Sequence, residues 1–192
     1  MCNFLYIWYS LNMKNLVLFG DSMLGNFGIS LIKKLESNVM GLQVHNCAVG
    51  GATTEDGLKK VKYIASLGPD IVLLSFGTND IFQDSLSPNV FLNSLIEIIN
   101  SFNGARIIIW LTPKANDIND VEGTIKFNAD ISKYNDEIRK YCEQNKIEFI
   151  DSLNDYKIEV GKKDPYHEED GIHLTDEGYE LFTHSLIKVL SN

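Results

Sequence analysis

Five short apolar runs, separated by amphipathic stretches, set the pattern of this chain. The runs are rich in Val, Ile and Leu, which is typical of strands buried on both faces of a sheet. The predicted strands cover residues 15–20, 42–45, 70–77, 106–113 and 146–151. Between the strands, apolar residues recur at helical spacing, and the last helix is predicted from its N-cap, Thr175, to Leu190.

Strands that alternate with helices predict a parallel sheet covered by helices on both faces. We therefore expect an α/β fold, a three-layer α/β/α sandwich with a five-stranded parallel sheet, formed as a single domain by residues 13–192. Residues 1–12 are rich in aromatics but too short to span a bilayer, and we interpret them as an N-terminal extension. A polar stretch, residues 114–128, predicts a long loop before the next helix, and its role as a lid is left open.

Acidic residues outnumber basic ones, 26 to 17, for a formal net charge of −9. This balance argues against nucleic-acid binding, which needs a clustered positive surface. Cys2, Cys47 and Cys142 show neither CxxC spacing nor a companion histidine pattern, so no zinc site or disulfide framework is predicted. Without a recognisable signal peptide or a spanning apolar run, we expect a cytoplasmic protein that does not insert stably into membranes. The oligomeric state is left open.

Four polar segments carry the candidate chemistry. They are GDS at 20–22, NCAVGGATT at 46–54, GTND at 77–80 and DGIHLT at 170–175. Ligand sites of parallel α/β sheets lie beyond the carboxyl ends of the strands, so the first three segments are expected at one edge of the sheet. Each segment alone is typical of an ordinary turn. Their combination indicates acyl transfer.

Each segment offers one part of such a reaction. Ser22 supplies a hydroxyl at a helix N-terminus, where partial positive charge favours a developing anion. Asp170 and His173 are three residues apart, which on a helical turn would let the carboxylate orient the imidazole toward the serine. The backbone N–H of Gly51, the side-chain amide of Asn79 and the backbone N–H of the serine would then donate to an oxyanion.

The remaining histidines are weaker candidates for the base. His45 lies inside a predicted strand, His184 lies on the last helix, and His167 lies in a charged loop, where we assign it no partner carboxylate. The loops that follow the strands are expected to shape the substrate pocket. Candidate substrate-binding residues are Asp21, Phe82, Thr112 and Tyr166.

In order and in spacing, the four segments resemble the motif blocks of the SGNH hydrolases, also called GDSL-type esterases, over nearly the whole chain. The resemblance implies the flavodoxin-like SGNH hydrolase fold. It implies that Ser22 is the nucleophile, that Gly51 and Asn79 are oxyanion donors, and that Asp170 and His173 are the orienting acid and the base. No metal or organic cofactor is implied.

The implied activity is hydrolysis of a carboxylic ester through an acyl-enzyme. Acidic loops near the site favour a neutral small-molecule substrate with a short acyl group, such as an acetylated sugar, although the same charges can simply keep loops solvated. A thioesterase or a lysophospholipase would use the same three residues. Two further functions are compatible with the sequence, an acyltransferase and a catalytically silent binding module.

Overall fold

The computed structural model describes residues 13–83, 86–151, 153–154 and 159–192, so the proposed extension at residues 1–12 lies outside the described residues. Five parallel strands form one sheet in the order β2-β1-β3-β4-β5. The strands are β1 Lys14–Gly20, β2 Leu42–Asn46, β3 Ile71–Ser75, β4 Arg106–Trp110 and β5 Glu148–Ile150. The predicted α/β fold with a five-stranded parallel sheet is confirmed.

Helices cover both faces of this sheet. Those in the described part of the chain are α1 Ser22–Gly25, α2 Ile29–Asn38, α3 Thr54–Ala65, α4 Thr78–Phe82, α5 Pro88–Asn100, α6 Val121–Asn145 and α7 Asp176–Leu190. Helices α2 and α7 share one core cluster, while α3, α5 and α6 share the other. None of these helices is long and apolar enough to cross a membrane.

Strand β1 shows why the sheet is buried on both sides. Leu16 and Leu18 belong to the core cluster on one face, and Val17 and Phe19 belong to the cluster on the other. All four side chains are buried, because successive residues of a strand point to opposite faces and both faces carry helices.

One helix differs from its prediction. The polar stretch 114–128, predicted as a loop, is helical from Val121 onward, so any lid formed by loop alone is limited to the residues before it. Asp120 caps the helix with its side chain. The buried face of the first turns carries Asn128, whose amide bonds the backbone N–H and carbonyl of Ala115, both at 2.8 Å. Polar residues on an inward face remove the apolar periodicity on which the prediction relies.

The strand order places a crevice at the centre of the sheet. Strand β1 lies between β2 and β3, so the connections that follow β1 and β3 diverge at the carboxyl edge, where ligands bind in such folds. The GDS segment follows β1 and the GTND segment follows β3. Topology alone therefore brings two of the four segments to one crevice.

Candidate active site

The GDS turn begins where β1 lies close to the end of β3. A Cβ added to Gly20 would lie 2.0 Å from the carbonyl oxygen of Ser75, so only glycine fits there. The next residue, Asp21, caps helix α1 by accepting from the backbone N–H of Met23 at 3.0 Å. Ser22 is therefore the first residue of α1 and not its cap, and its N–H has no acceptor within the helix. Its hydroxyl is left available for another partner.

That partner is His173. The Nε2 atom of His173 lies 3.0 Å from Oγ of Ser22, and its Nδ1 lies 2.6 Å from Oδ2 of Asp170. Because a carboxylate only accepts, Nδ1 carries the hydrogen and Nε2 presents its lone pair to the serine hydroxyl. A neutral imidazole satisfies both contacts, which is the arrangement of a nucleophile, a base and an orienting acid.

A non-helical turn brings Asp170 and His173 together. The helical turn predicted from their spacing does not form at residues 170–173. Oδ1 of Asp170 accepts from the backbone N–H groups of Ile172 and His173, each at 2.9 Å. This Asx-type turn directs Oδ2 to the ring. Burial raises the pKa of Asp170, but the hydrogen bonds from His173 and Ile172 outweigh it, so the pKa lies below its usual range. The orienting carboxylate remains ionised.

A second pair with the same spacing lies just upstream, and the expectation that His167 has no partner carboxylate is wrong. Nδ1 of His167 lies 3.0 Å from Oδ2 of Asp164, and Nε2 lies 2.8 Å from the carbonyl oxygen of Lys114. Asn116 adds a further hydrogen bond between the same two segments, because its backbone N–H donates to the carbonyl of Gly171 at 2.7 Å. These contacts fasten the segment that carries the base to the connection after β4.

One loop, which carries Gly51, passes close to the serine and bonds Asn79. A Cβ added to Gly50 in this loop would lie 4.0 Å from Cβ of Ser22. Gly51 has φ +77°, a left-handed conformation that favours glycine, and faces open space. Asn79 donates from Nδ2 to the carbonyl of Ala52 at 3.1 Å. A primary amide has two such hydrogens, so one remains for a ligand.

Two motif residues to which the sequence assigns no role hold these loops in place. Asp80 is fully buried and accepts from the N–H and the hydroxyl of Thr54, at 3.0 and 2.5 Å. It thereby joins α4, which carries Asn79, to the start of α3. Asn46 donates to the carbonyl of Leu24 at 2.8 Å and joins its loop to α1. Both lie inside the four polar segments, and their presence in these motifs is the signal that could have found them.

The four candidate substrate-binding residues have different surroundings. Asp21 is buried as a helix cap, and Thr112 is buried with its hydroxyl donating to the carbonyl of Phe76 at 3.0 Å. Substrate binding by these two residues stays a prediction. Tyr166 is half-buried and packs against a core cluster. Phe82 is 57% exposed and stacks on Phe127, with ring centroids 4.3 Å apart.

Phe82 lines a cleft of about 460 Å³. The cleft extends from Asp170 to helix α4, just beyond Asn79. Its charged lining residues are Asp117, Asp120, Asp130, Asp170 and Lys126. The cleft that Asp170 helps to line is therefore partly aromatic and mainly acidic.

Comparisons with known proteins agree on a family and a fold. The family model described as "GDSL-like Lipase/Acylhydrolase family" matches residues 18–181. The lipase/acylhydrolase from Enterococcus faecalis superposes with a TM-score of 0.77 at 22% identity, covering 93% of this chain and 95% of that one. An acetylxylan esterase from Geobacillus stearothermophilus gives a TM-score of 0.74 at 15% identity, covering 93% and 94%. These likenesses confirm the predicted SGNH hydrolase fold.

A sequence relative differs in its length. An N-acylneuraminate cytidylyltransferase from Streptococcus agalactiae is 26% identical over 137 residues, which is 71% of this chain and 32% of the relative. The chain thus spans about a third of the length of the curated relative that it matches.

Proposed function

This chain belongs to the GDSL-like lipase/acylhydrolase family, whose members hydrolyse esters, and we propose that it is a serine esterase acting through an acyl-enzyme. One observation carries the proposal, the hydrogen-bonded line from Ser22 Oγ through His173 to Asp170, with steps of 3.0 and 2.6 Å. A hydroxyl, a base and an orienting carboxylate in contact are the parts that activate a serine for attack on a carbonyl.

The reaction proceeds in two halves. Oγ of Ser22 attacks the acyl carbonyl carbon while Nε2 of His173 takes its proton, and the resulting imidazolium returns that proton to the departing alcohol. A water then attacks the acyl-serine carbonyl while Nε2 of His173 takes its proton; the bond to Oγ breaks, the carboxylic acid leaves, and the imidazolium returns the proton to Oγ of Ser22. Asp170 stabilises the imidazolium in both halves without taking its proton.

The negative oxygen of each tetrahedral intermediate needs donors that are already aimed at it. The N–H groups of Ser22 and Gly51 and the remaining amide hydrogen of Asn79 are the proposed donors. Each donor of this kind is worth about a hundredfold to a thousandfold in turnover.

The proposed substrate is an uncharged small molecule or carbohydrate that carries a short acyl group, such as acetyl. Four acidic residues and one basic residue line the cleft beside the triad, and this balance disfavours anionic alcohols. The stacked rings of Phe82 and Phe127 offer an apolar platform for one face of a small alcohol. The name of one structural neighbour, an acetylxylan esterase, also refers to an acetylated neutral carbohydrate.

The decisive experiment compares Ser22→Ala with wild type on p-nitrophenyl acetate. The variant should lose about 10⁴-fold or more in kcat, the loss expected when a triad member is removed. Ser30→Ala, on an exposed position of α2, is the matched control and should retain full activity. A fluorophosphonate probe should label wild type at Ser22 alone. Full esterase activity in Ser22→Ala would contradict the mechanism.

The substrate is tested separately with a panel of esters. Activity should fall as the p-nitrophenyl acyl chain lengthens, and an acetylated neutral sugar should be preferred to an O-acetylated N-acylneuraminate, a lysophospholipid and an acyl thioester. Preference for the anionic sugar would contradict the neutral-substrate proposal while leaving the role of Ser22 untouched.

A further inference from the structure

The residue directly before the nucleophile has a carboxyl group that the reaction does not use. Asp21 is 1% exposed, and its Oδ1 accepts one hydrogen bond, from the N–H of Met23. Its Oδ2 is buried and has no hydrogen-bond partner among the described residues. Asp170, by contrast, accepts three hydrogen bonds. A buried carboxylate with one donor is poorly stabilised in its charged form, so Asp21 is disposed to hold a proton.

Three titratable groups from three elements act on this carboxyl: Asp80 from α4, His173 from the segment before α7, and Tyr179 from α7. The hydroxyl of Tyr179 donates to the carbonyl of Met23. Burial raises the pKa of both carboxyls, but Asp80 has the donors of Thr54 and is the better stabilised anion. Burial, with a smaller contribution from the negative charge of Asp80, raises the pKa of Asp21 to about 7.

We propose that Asp21 is a positioning residue with a titratable proton, which in its ionised form stabilises the imidazolium that His173 becomes when Ser22 attacks. The proposal rests on the proposed esterase function. Asp21 directly precedes Ser22, whose Oγ lies 3.0 Å from Nε2 of His173, and its carboxyl is buried. A negative charge on this carboxyl therefore attracts a positive charge on the ring through the protein interior, where water screens the attraction little. The protonated form of Asp21 lacks this attraction.

The test is the pH dependence of kcat and kcat/KM for p-nitrophenyl acetate in wild type and Asp21→Asn. Asparagine caps helices as well as aspartate does and mimics the neutral form at every pH. Ionisation of Asp21 raises the rate in wild type, so the logarithm of kcat/KM should rise more steeply toward pH 7 in wild type than in Asp21→Asn. In Asp21→Asn the slope should be shallower and the plateau of kcat about fivefold to tenfold lower, with KM unchanged.

Two further variants test whether the altered pH profile of Asp21→Asn comes from a disturbed structure. Asp21→Ser removes the carboxyl but keeps a good N-cap, and should reproduce the shallow slope. Asp176→Asn, at an exposed position of α7, should keep the wild-type profile. Profiles of wild type and Asp21→Asn that superimpose would overturn the proposal.

A readout independent of turnover uses infrared difference spectra recorded in the inactive Ser22→Ala background. A carboxylic-acid carbonyl band should disappear as the pH rises through about 7, and it should be absent when Asp21→Asn is added. Failure to find a titrating band would overturn the proposal.

The failure of this inference can be told apart from the failure of the proposed function. An unchanged pH profile for Asp21→Asn while Ser22→Ala is inactive refutes only this inference, whereas activity in Ser22→Ala refutes the proposed function.

The titration of Asp21 also predicts a pH dependence of folding stability. The folded-state pKa of about 7 lies above the ordinary aspartate value of 3.8, so the folded state loses stability through this group as the pH rises from about 4 through 7. Asp21→Asn removes that loss. Its thermal midpoint should exceed that of wild type at pH 8 and match it near pH 4, and equal midpoints at pH 8 would contradict a buried, ionising Asp21.

Discussion

Two aspartate–histidine pairs with the same spacing lie in one segment, yet only one of them faces the nucleophile. In both pairs Nδ1 contacts the carboxylate three residues upstream. The two pairs differ in the group that Nε2 contacts. Nε2 of His173 contacts the hydroxyl of Ser22, and Nε2 of His167 contacts the carbonyl of Lys114. A hydroxyl can donate to the ring, whereas a carbonyl can only accept from it. A neutral ring therefore satisfies both partners of His173 but only one partner of His167.

Spacing alone therefore does not define a catalytic base. The His167 side chain is 3% exposed, against 34% for His173, and is bonded to acceptors on both sides. Its position supports the other pair, because the neighbouring backbone N–H of Glu168 donates to the backbone carbonyl of His173 at 2.8 Å and His167 forms a β-bridge with Leu174. The inner pair, Asp164 and His167, anchors the segment that presents the outer pair, Asp170 and His173.

The largest expected difference between the pairs concerns turnover after the same substitution in each ring. His173→Gln removes the base and should lower kcat by about 10⁴-fold or more. His167→Gln loses a buried anchor but leaves the base in place, and should lower kcat by less than about tenfold. Turnover of p-nitrophenyl acetate, with circular dichroism to verify folding, separates the two. Equal losses in two folded variants would remove the distinction between them.

The residues of the site are largely predictable, because they follow strand ends and form recognisable blocks. Ser22, Gly51 and Asn79 lie at the carboxyl edge because the strand order delivers them there. Their catalytic roles remain predictions. What spacing cannot supply is the direction in which a side chain points. Oδ1 of Asp21 and the hydroxyl of Thr112 bond the backbone, which the sequence pattern does not indicate.

Local periodicity also fails where buried faces are polar. Helix α6 begins earlier than expected because Asn128 occupies an inward position and is satisfied by the backbone of Ala115. The spacing at Asp170 predicts a helical turn where an Asx-type turn forms, because both bring residues three apart together. In each case the deciding partner is a backbone group that no sequence pattern specifies.

A smaller difference is expected when the two carboxylates are neutralised. Asp170→Asn offers an amide that can donate to Nδ1 of His173, which leaves the hydrogen on Nε2 and prevents that atom from accepting the serine proton. Its kcat should fall by about 10²- to 10⁴-fold. Asp164→Asn disturbs only the anchor and should stay within about threefold of wild type, since no ring that exchanges a proton with Ser22 is affected. A steady-state comparison at one pH is sufficient, and a large loss in Asp164→Asn alone would reverse the assignment.

The smallest expected effect is on stability. Here substitution of Asp164 should have a larger effect than substitution of Asp170, the reverse of the order expected for turnover. The side chain of Asp164 is 13% exposed and that of Asp170 is 51% exposed. Burial raises the pKa of each, but hydrogen bonds from Asn116 and Tyr166 in the first case, and from His173 in the second, leave both below the usual range. A lowered folded-state pKa stabilises the fold above the unfolded-state value, and this stabilisation is lost as the pH falls through the folded-state value.

Asp164→Asn should therefore lower the free energy of unfolding at pH 7 by about 1–2 kcal/mol, the scale of hydrogen bonds to a charged group. The deficit should shrink as the pH falls below about 4, where wild type protonates the same carboxyl. Asp170→Asn should cost less at pH 7, because solvent screens its half-exposed charge. Urea denaturation of wild type and both variants at pH 7 and at about pH 3.5 measures these differences. If Asp170→Asn proved the more destabilising, or if the Asp164→Asn deficit were equal at both pH values, the inner pair would not be the anchor.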